Sequence, residues 1–272
     1  MDKLSAQQVD FFDTFGYLVL PGLLAGEIGW ITEEFEAVFT DRGLVHDPTQ
    51  RTCVVPFIDS RERLSALLDN PEVEGLAASL LGDDFNYVGS DGNYYSGDTG
   101  WHSDGFHTVG KFIKIALYLD PVNRDTGALR VIPGSHRVDL QNSWAARRSA
   151  KALELWGIAP REVPAIPLNS QPGDVVAFNH NLMHAAFGGS SRRRMFTLNC
   201  CRRCETAAEV ADLEEYIGGH DRFLNDHMHS DQMKATASPS RMRHLAQVME
   251  HEGHLAGLAA KCRETMAEPA RG

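Results

Sequence analysis

Twelve histidines are spread along the 272 residues, and one of them stands in a spacing that can do metal chemistry. In Gly100-Trp101-His102-Ser103-Asp104-Gly105 a histidine and an aspartate are two positions apart. On extended backbone, residues i and i+2 project to the same side, so one imidazole and one carboxylate can converge on a single ion. A second imidazole comes much later, at His184 in Asn181-Leu182-Met183-His184-Ala185, with His180 as a competitor four positions upstream. Two histidines and one carboxylate form the facial triad that holds non-haem Fe(II). The three coordination positions left open admit a bidentate cosubstrate and O2 together. A lone His-x-Asp recurs by chance and ordinarily marks a turn, so the pattern has to be read with its surroundings.

Those surroundings are ordered. Gly127-Ala128-Leu129-Arg130-Val131-Ile132-Pro133-Gly134-Ser135-His136 follows the His-x-Asp pair. Pro172-Gly173-Asp174-Val175-Val176-Ala177-Phe178 precedes His184, and Arg192-Arg193-Arg194 leads into Met195-Phe196-Thr197-Leu198. With the opening Gly16-Tyr17-Leu18-Val19-Leu20-Pro21-Gly22, this set resembles the phytanoyl-CoA dioxygenase-like family of Fe(II)/2-oxoglutarate oxygenases, over residues 5–205. The block from Gly127 to His136 is the most specific element.

The resemblance implies a double-stranded β-helix (jelly-roll) core with iron at one mouth, held by His102, Asp104 and His184. It favours His184 over His180. The family reaches its distal ligand some residues after the aromatic that ends the Gly-Asp strand, beside small residues such as Ala185 and Ala186. It also implies that an arginine after the distal histidine anchors the far carboxylate of 2-oxoglutarate. A planar fork of donors suits that contact. Arg192, Arg193 and Arg194 all compete for it. Strand alternation puts Arg193, Met195, Thr197 and Asn199 on one face and Arg194, Phe196 and Leu198 on the other. The polar face suits a metal site, so Arg193 is the expected anchor and Arg194 the alternative. The implied reaction is oxidation of a C–H bond of a small metabolite, hydroxylation by default, as O2 converts 2-oxoglutarate to succinate and CO2. Related halogenases carry a small residue in place of the carboxylate, so Asp104 speaks against halogenation.

The elements that must position these residues read as helices, then a β core, then helices, in one domain over 1–272. Ser5 and Gln8 form a capping-box pattern that opens a helix through Phe15, and Tyr17–Leu20 reads as a strand. Helical periodicity returns over Ala25–Phe39, Arg61–Leu68 and Glu72–Leu81. After this N-terminal decoration (1–84), the core (85–204) shows short strand-like runs between turn residues: Asn86–Tyr95, Phe112–Leu119, Leu129–Ile132, Ala165–Leu168, Asp174–Phe178 and Arg193–Cys201. That spacing suggests a sandwich, jelly roll or barrel. A helical stretch interrupts it at Trp144–Leu155. The last segment (205–272) reads as helical, with a long stretch near Arg241–Met266. Gly218, Gly219 and the polar run through Asp226 and Ser230 suggest a mobile link, and the helices beyond Met233 suggest a lid or a buttress.

Composition narrows the function classes. Lys plus Arg is 26 against 37 Asp plus Glu, a net charge of −11, which disfavours a phosphate-backbone partner. No apolar run is long enough to span a bilayer, and no secretory leader is visible. Five irregularly spaced cysteines fit a reducing, cytoplasmic setting. Cys201-Arg202-Arg203-Cys204 lacks the second pair that a zinc site needs. His251-Glu252-Gly253-His254 is one residue short of a metalloprotease motif, and His227-Met228-His229 reads as solvated. His107 is expected at the substrate pocket and His136 in a structural turn. Trp101, Asn93, Tyr95 and Thr108 read as pocket wall or strand packing. Two other readings remain: a cupin-like jelly-roll metal protein that does not use 2-oxoglutarate, and an oxygenase that modifies a protein. Substrate and oligomeric state are not legible.

Overall fold

The computed structural model describes residues 3–138 and 146–271. Ser5 caps the first helix, α1 (Ala6–Phe15), in the expected capping box, and Gly16 ends it in a left-handed conformation at φ 84°. There follow β1 (Tyr17–Leu20), α2 (Ile28–Asp41), β2 (Thr52–Val54), the short α3 (Glu62–Ser65) and α4 (Pro71–Leu81). The core strands are β3 (Asn86–Tyr95), β4 (Thr99–His102), β5 (Phe112–Tyr118), β6 (Leu129–Val131), β7 (Ile166–Leu168), β8 (Val175–Asn179), β9 (His184–Ala186) and β10 (Arg193–Cys201), with α5 (Ala152–Trp156) between β6 and β7. The start of the expected 144–155 helix lies outside the described residues.

The strands form two antiparallel sheets, in the orders β1-β8-β5-β10-β3-β2 and β4-β9-β6-β7. The side-chain period of two sorts their faces. Phe196, Leu198 and Cys200 of β10 and Ile113, Ile115 and Leu117 of β5 join Phe12, Ile31, Phe35 and Leu76 of the helices in the main core. The alternate residues Met195, Ala116, Tyr118, Val176 and Phe178 meet Leu129, Val131 and Leu168 of the small sheet. Each large apolar side chain so buried contributes about 1.5–3 kcal/mol. The two sheets therefore close on each other as a jelly roll, with helices covering the outer face of the larger one.

The structure departs from the sequence reading in three places. The N-terminal segment is not only decoration, because it supplies β1 and β2 to the large sheet. β2, β4 and β9, each of three or four residues, are too short to show an alternation. The long C-terminal helix is broken at 252–254 into α8 (Pro239–His251) and α9 (Leu255–Thr265), after α6 (Ala207–Gly218) and α7 (Asp231–Ala235).

The expected mobile link is packed. Met228 and His229 are buried, His229 at 1% exposure rather than solvated. Asp226 pairs with Arg263 at 2.6 Å, and the Ser230 amide donates to Asp59 Oδ2 at 3.2 Å. Met233 and Leu245 lie in the main core, so the last helices buttress the sheet. The partners of the 218–230 run lie in distant parts of the chain, which local polarity does not reveal.

Candidate active site

β4 and β9 are neighbours in the small sheet, and their register sets His102 directly opposite His184. The two imidazole centroids are 4.2 Å apart. Asp104 follows β4 in a loop that is clamped to the β8–β9 turn. The Gly105 amide donates to the His180 carbonyl at 3.2 Å. Asn181 accepts from the His107 amide at 2.8 Å and donates to the His107 carbonyl at 2.7 Å. A side chain at position 105 would sit 2.4 Å from the His107 ring, so the loop closes only with glycine there. One potential ligand atom from each of His102, Asp104 and His184 falls within 4.8 Å of the others. Among the described residues no other group of three or more His, Cys, Asp or Glu meets that test, and neither Cys201/Cys204 nor His251/His254 belongs to one.

The chemistry of this donor set fits a metal. The Nδ1 of His102 is 2.8 Å from the Gly100 carbonyl and that of His184 is 2.9 Å from the Leu182 carbonyl. A carbonyl only accepts, so both Nδ1 atoms carry the proton and both Nε2 lone pairs are free. Burial lowers the pKa of His184 to about 4, which keeps the ring neutral. Burial alone would raise the pKa of Asp104, but Lys114 and the surrounding histidines hold it far below the usual carboxylate range. Asp104 Oδ2 is buried without a hydrogen-bond partner and lies 3.7 Å from His184 Nε2. His180 points elsewhere: its Nε2 meets Asn199 Oδ1 at 3.2 Å, and burial drops its pKa to about 3.

The three arginines separate cleanly. Arg192 lies against the Tyr94 ring and bonds Glu36 at 3.0 Å. Arg194 is turned to the outer face, where Asp120 and Glu36 occupy its donors, so it does not reach the interior as the alternative reading required. Arg193 is 3% exposed and faces an inner chamber shared with His102, Asp104 and His184. Its Nε and Nη1 have no hydrogen-bond partner. Its guanidinium fits only because two neighbours are glycines. A Cβ on Gly127, whose φ is +91°, would lie 1.8 Å from Nη1, and one on Gly189 would lie 2.4 Å from it. A buried cation with two idle donors beside a metal-type site is a cradle for a carboxylate.

A cleft of about 880 Å³ opens outward from His102 and Asp104. Its walls come partly from residues that sequence reasoning missed. Arg51 lies over one face of Tyr95 at 4.5 Å and pairs with Asp91 at 3.4 Å. Asp212, Tyr216 and His220 reach in from α6 and the turn after it. His107 lines the cleft as expected, held by Asp212 at 3.0 Å and stacked on Phe112. Trp101 also lines it, its indole N–H bonded to the Pro160 carbonyl at 2.8 Å. Thr108 is exposed, and Asn93 donates to Asp91. His136 bonds the Asp13 carbonyl of α1 at 3.1 Å, which makes it a structural contact. Lys114 had one signal, a lone charge in the apolar run Phe112–Tyr118; the C-terminal wall had none.

The model of the phytanoyl-CoA dioxygenase (PhyH) family matches residues 12–196. No curated protein matches the chain. Among solved structures, the non-heme alpha ketoglutarate dependent carbocyclase SnoK from nogalamycin biosynthesis is 21% identical with a TM-score of 0.58, covering 73% of this chain and 84% of its own. EctD from S. alaskensis with 2-oxoglutarate and 5-hydroxyectoine is 23% identical at TM-score 0.57, covering 74% and 77%. HygX from Streptomyces hygroscopicus with nickel and 2-oxoglutarate bound is 16% identical at TM-score 0.57, covering 75% and 89%. At these identities the likeness establishes the fold.

Proposed function

The chain belongs to the phytanoyl-CoA dioxygenase family of Fe(II)/2-oxoglutarate-dependent oxygenases, and on that premise we propose that it oxidises a C–H bond of a small polar metabolite, by default to an alcohol. The observation that carries the site assignment is the pairing of two bare imidazole Nε2 atoms with an orphaned carboxylate oxygen beside an unpaired buried arginine. His102, Asp104 and His184 hold the iron through Nε2, Oδ2 and Nε2. Arg193 holds the distal carboxylate of 2-oxoglutarate in the chamber that Gly127 and Gly189 leave open. Bound iron and cosubstrate supply the oxidative decarboxylation to succinate and CO2, together with the oxidising power for the C–H bond.

The rest of the work is positioning and exclusion of water. Asp91, another carboxylate that lines the outer cleft beside Asp104, is already taken up by Thr197, Asn93 and Arg51. It shapes the wall and does not compete for the metal. The cleft wall combines cations, carboxylates, imidazoles and tyrosines, which suits a molecule with several hydrogen-bonding groups better than a long acyl chain. Among the described residues no helix is long and apolar enough to cross a membrane.

The test is succinate formation from 2-oxoglutarate with anaerobically loaded Fe(II) and then O2, measured with and without a panel of polar metabolites. Iron-dependent succinate release that a panel member stimulates, together with a product heavier by one oxygen atom, supports the proposal. No iron-dependent succinate refutes it.

A further inference from the structure

The inner face of β5 carries one charge. Ile113, Ile115 and Leu117 turn to the helices, while Lys114, Ala116 and Tyr118 line the inner chamber. The Lys114 side chain is 16% exposed, and its Nζ lies 3.1 Å from Asp104 Oδ1. It stands at the border of the inner chamber and the outer cleft and lines both. Burying an ammonium is expensive, and one ion pair does not by itself repay it. An apolar side chain of similar length would fill the same space at lower cost. What the lysine changes is the state of the carboxylate. Oδ1 is occupied, while Oδ2 stays buried and without a hydrogen-bond partner, 3.7 Å from His184 Nε2.

The difference matters for counting positions. In a six-coordinate site, two imidazoles and one carboxylate oxygen leave three positions, two for a chelating oxoacid and one for O2. A carboxylate that swings to offer both oxygens leaves two, and the chelating oxoacid fills them. We propose that Lys114 is a positioning residue that holds Asp104 Oδ1 away from the metal, so that the carboxylate binds through Oδ2 alone and the O2 position stays open. The inference rests on the ligand assignment above. The neighbouring Asp91 also feels the charge of Lys114, but its hydrogen bonds come from Thr197, Asn93 and Arg51, and the close contact of the lysine is with Asp104.

The experiment uses the full chain loaded anaerobically with Fe(II), with and without 2-oxoglutarate. A crystal structure of the wild-type protein in this state should show one Asp104 oxygen on iron and Oδ1 still on Lys114. In K114M, Fe(II) should bind at least as tightly as in wild type, and 2-oxoglutarate should still chelate it, read by the visible absorption of that complex. Nitric oxide, used as a stand-in for O2 and followed by electron paramagnetic resonance, should bind about 10–100-fold more weakly, a loss of the size that removing an outer-shell partner causes in metal affinity or activity. K114Q keeps an N–H donor and should recover most of the loss. Asp104 bound through both oxygens in the wild type would overturn the proposal, as would nitric oxide affinity in K114M within threefold of wild type. If K114M does not fold, the wild-type coordination decides. Iron found away from His102, Asp104 and His184 would refute the ligand assignment instead.

Discussion

Removing the Arg193 guanidinium separates two roles that arginines in this run can play. Arg194 has Asp120 and Glu36 as partners, so its loss is a structural event at the outer face. Arg193 is 3% exposed, and its Nε and Nη1 find no hydrogen-bond partner among the described residues. In Arg193→Ala the distal carboxylate of 2-oxoglutarate would enter the same chamber and find no cation. Losing one partner of a buried charge-assisted contact costs about 2–4 kcal/mol. At about 1.4 kcal/mol per factor of ten, that is roughly 30- to 700-fold in 2-oxoglutarate affinity. The assay is 2-oxoglutarate binding by calorimetry to the anaerobic Fe(II) protein, repeated as half-saturation for succinate release. Fe(II) affinity should stay within threefold, because the triad lies on β4, the loop after it and β9, away from β10.

Thermal stability gives a second readout at the same position. A buried unpaired cation destabilises the fold, so Arg193→Met should melt at or above the wild-type temperature in the absence of 2-oxoglutarate. Arg194→Ala should melt lower and keep its 2-oxoglutarate affinity. Gly127→Ala should weaken 2-oxoglutarate binding without touching any charge, since its new methyl would stand where Nη1 now lies. Affinity in Arg193→Ala within threefold of wild type, or equal losses in Arg193→Ala and Arg194→Ala, would refute the reasoning.

The remaining expectations concern the distal ligand, acid stability and the C-terminus. His184→Ala should abolish iron-dependent succinate formation, whereas His180→Ala should retain the Fe(II) site; the reverse outcome in a metal titration would move the ligand to position 180. Burial holds His180 and His229 at about 3 in the folded protein, against 6.5 unfolded. The unfolded chain therefore takes up protons that the native state refuses, and stability falls as pH drops below about 6.5, by up to about 1.4 kcal/mol per pH unit for each ring. Asp59 is raised to about 6 by burial; its contribution is complete below about 3.8 and is lost as pH rises through 6, so it offsets one ring. Urea denaturation of the metal-free protein between pH 7.5 and 5 should show the net loss, and His229→Phe should flatten it; an unchanged slope counts against the assignment. Deleting residues after Met233 should give an unfolded product by circular dichroism, because Leu245, Val248, Leu255 and Ala259 are fully buried and lose about 1.5–3 kcal/mol each for the larger side chains, out of a total of about 5–15 kcal/mol. A folded, iron-binding truncation would restore the lid.

How much of this was legible in the sequence follows from where each constraint acts. The triad could be read because chemistry restricts the residue types and an extended strand fixes the spacing of His102 and Asp104. Family order then separated His184 from His180, two histidines that local spacing alone leaves equal. The face of Arg193 could be read because period two is a property of the backbone and not of distant partners. Long strands such as β3 and β10 were visible because ten and nine residues display that period. The three-residue β9, which carries His184, did not.

The cleft was not legible, and the reason is physical. Arg51, Asp91, Lys114 and Asp212 become a wall only when β2, β3, β5 and α6 are brought together, and each looks like an ordinary charge in its own segment. Lys114 sits in an apolar run where a single polar residue reads as a strand turned to solvent. The same register in fact points it at Asp104. Asp212, Tyr216 and His220 lie beyond residue 196, where the family match ends, so motif order says nothing about them. Part of the outer wall is therefore built by α6 and the turn after it, outside the matched region, whereas His102, Asp104, His184 and Arg193 lie inside it. A change of substrate should then be reached by substitutions in α6 and at Arg51 that leave 2-oxoglutarate affinity untouched, with the division running along the border where Lys114 stands.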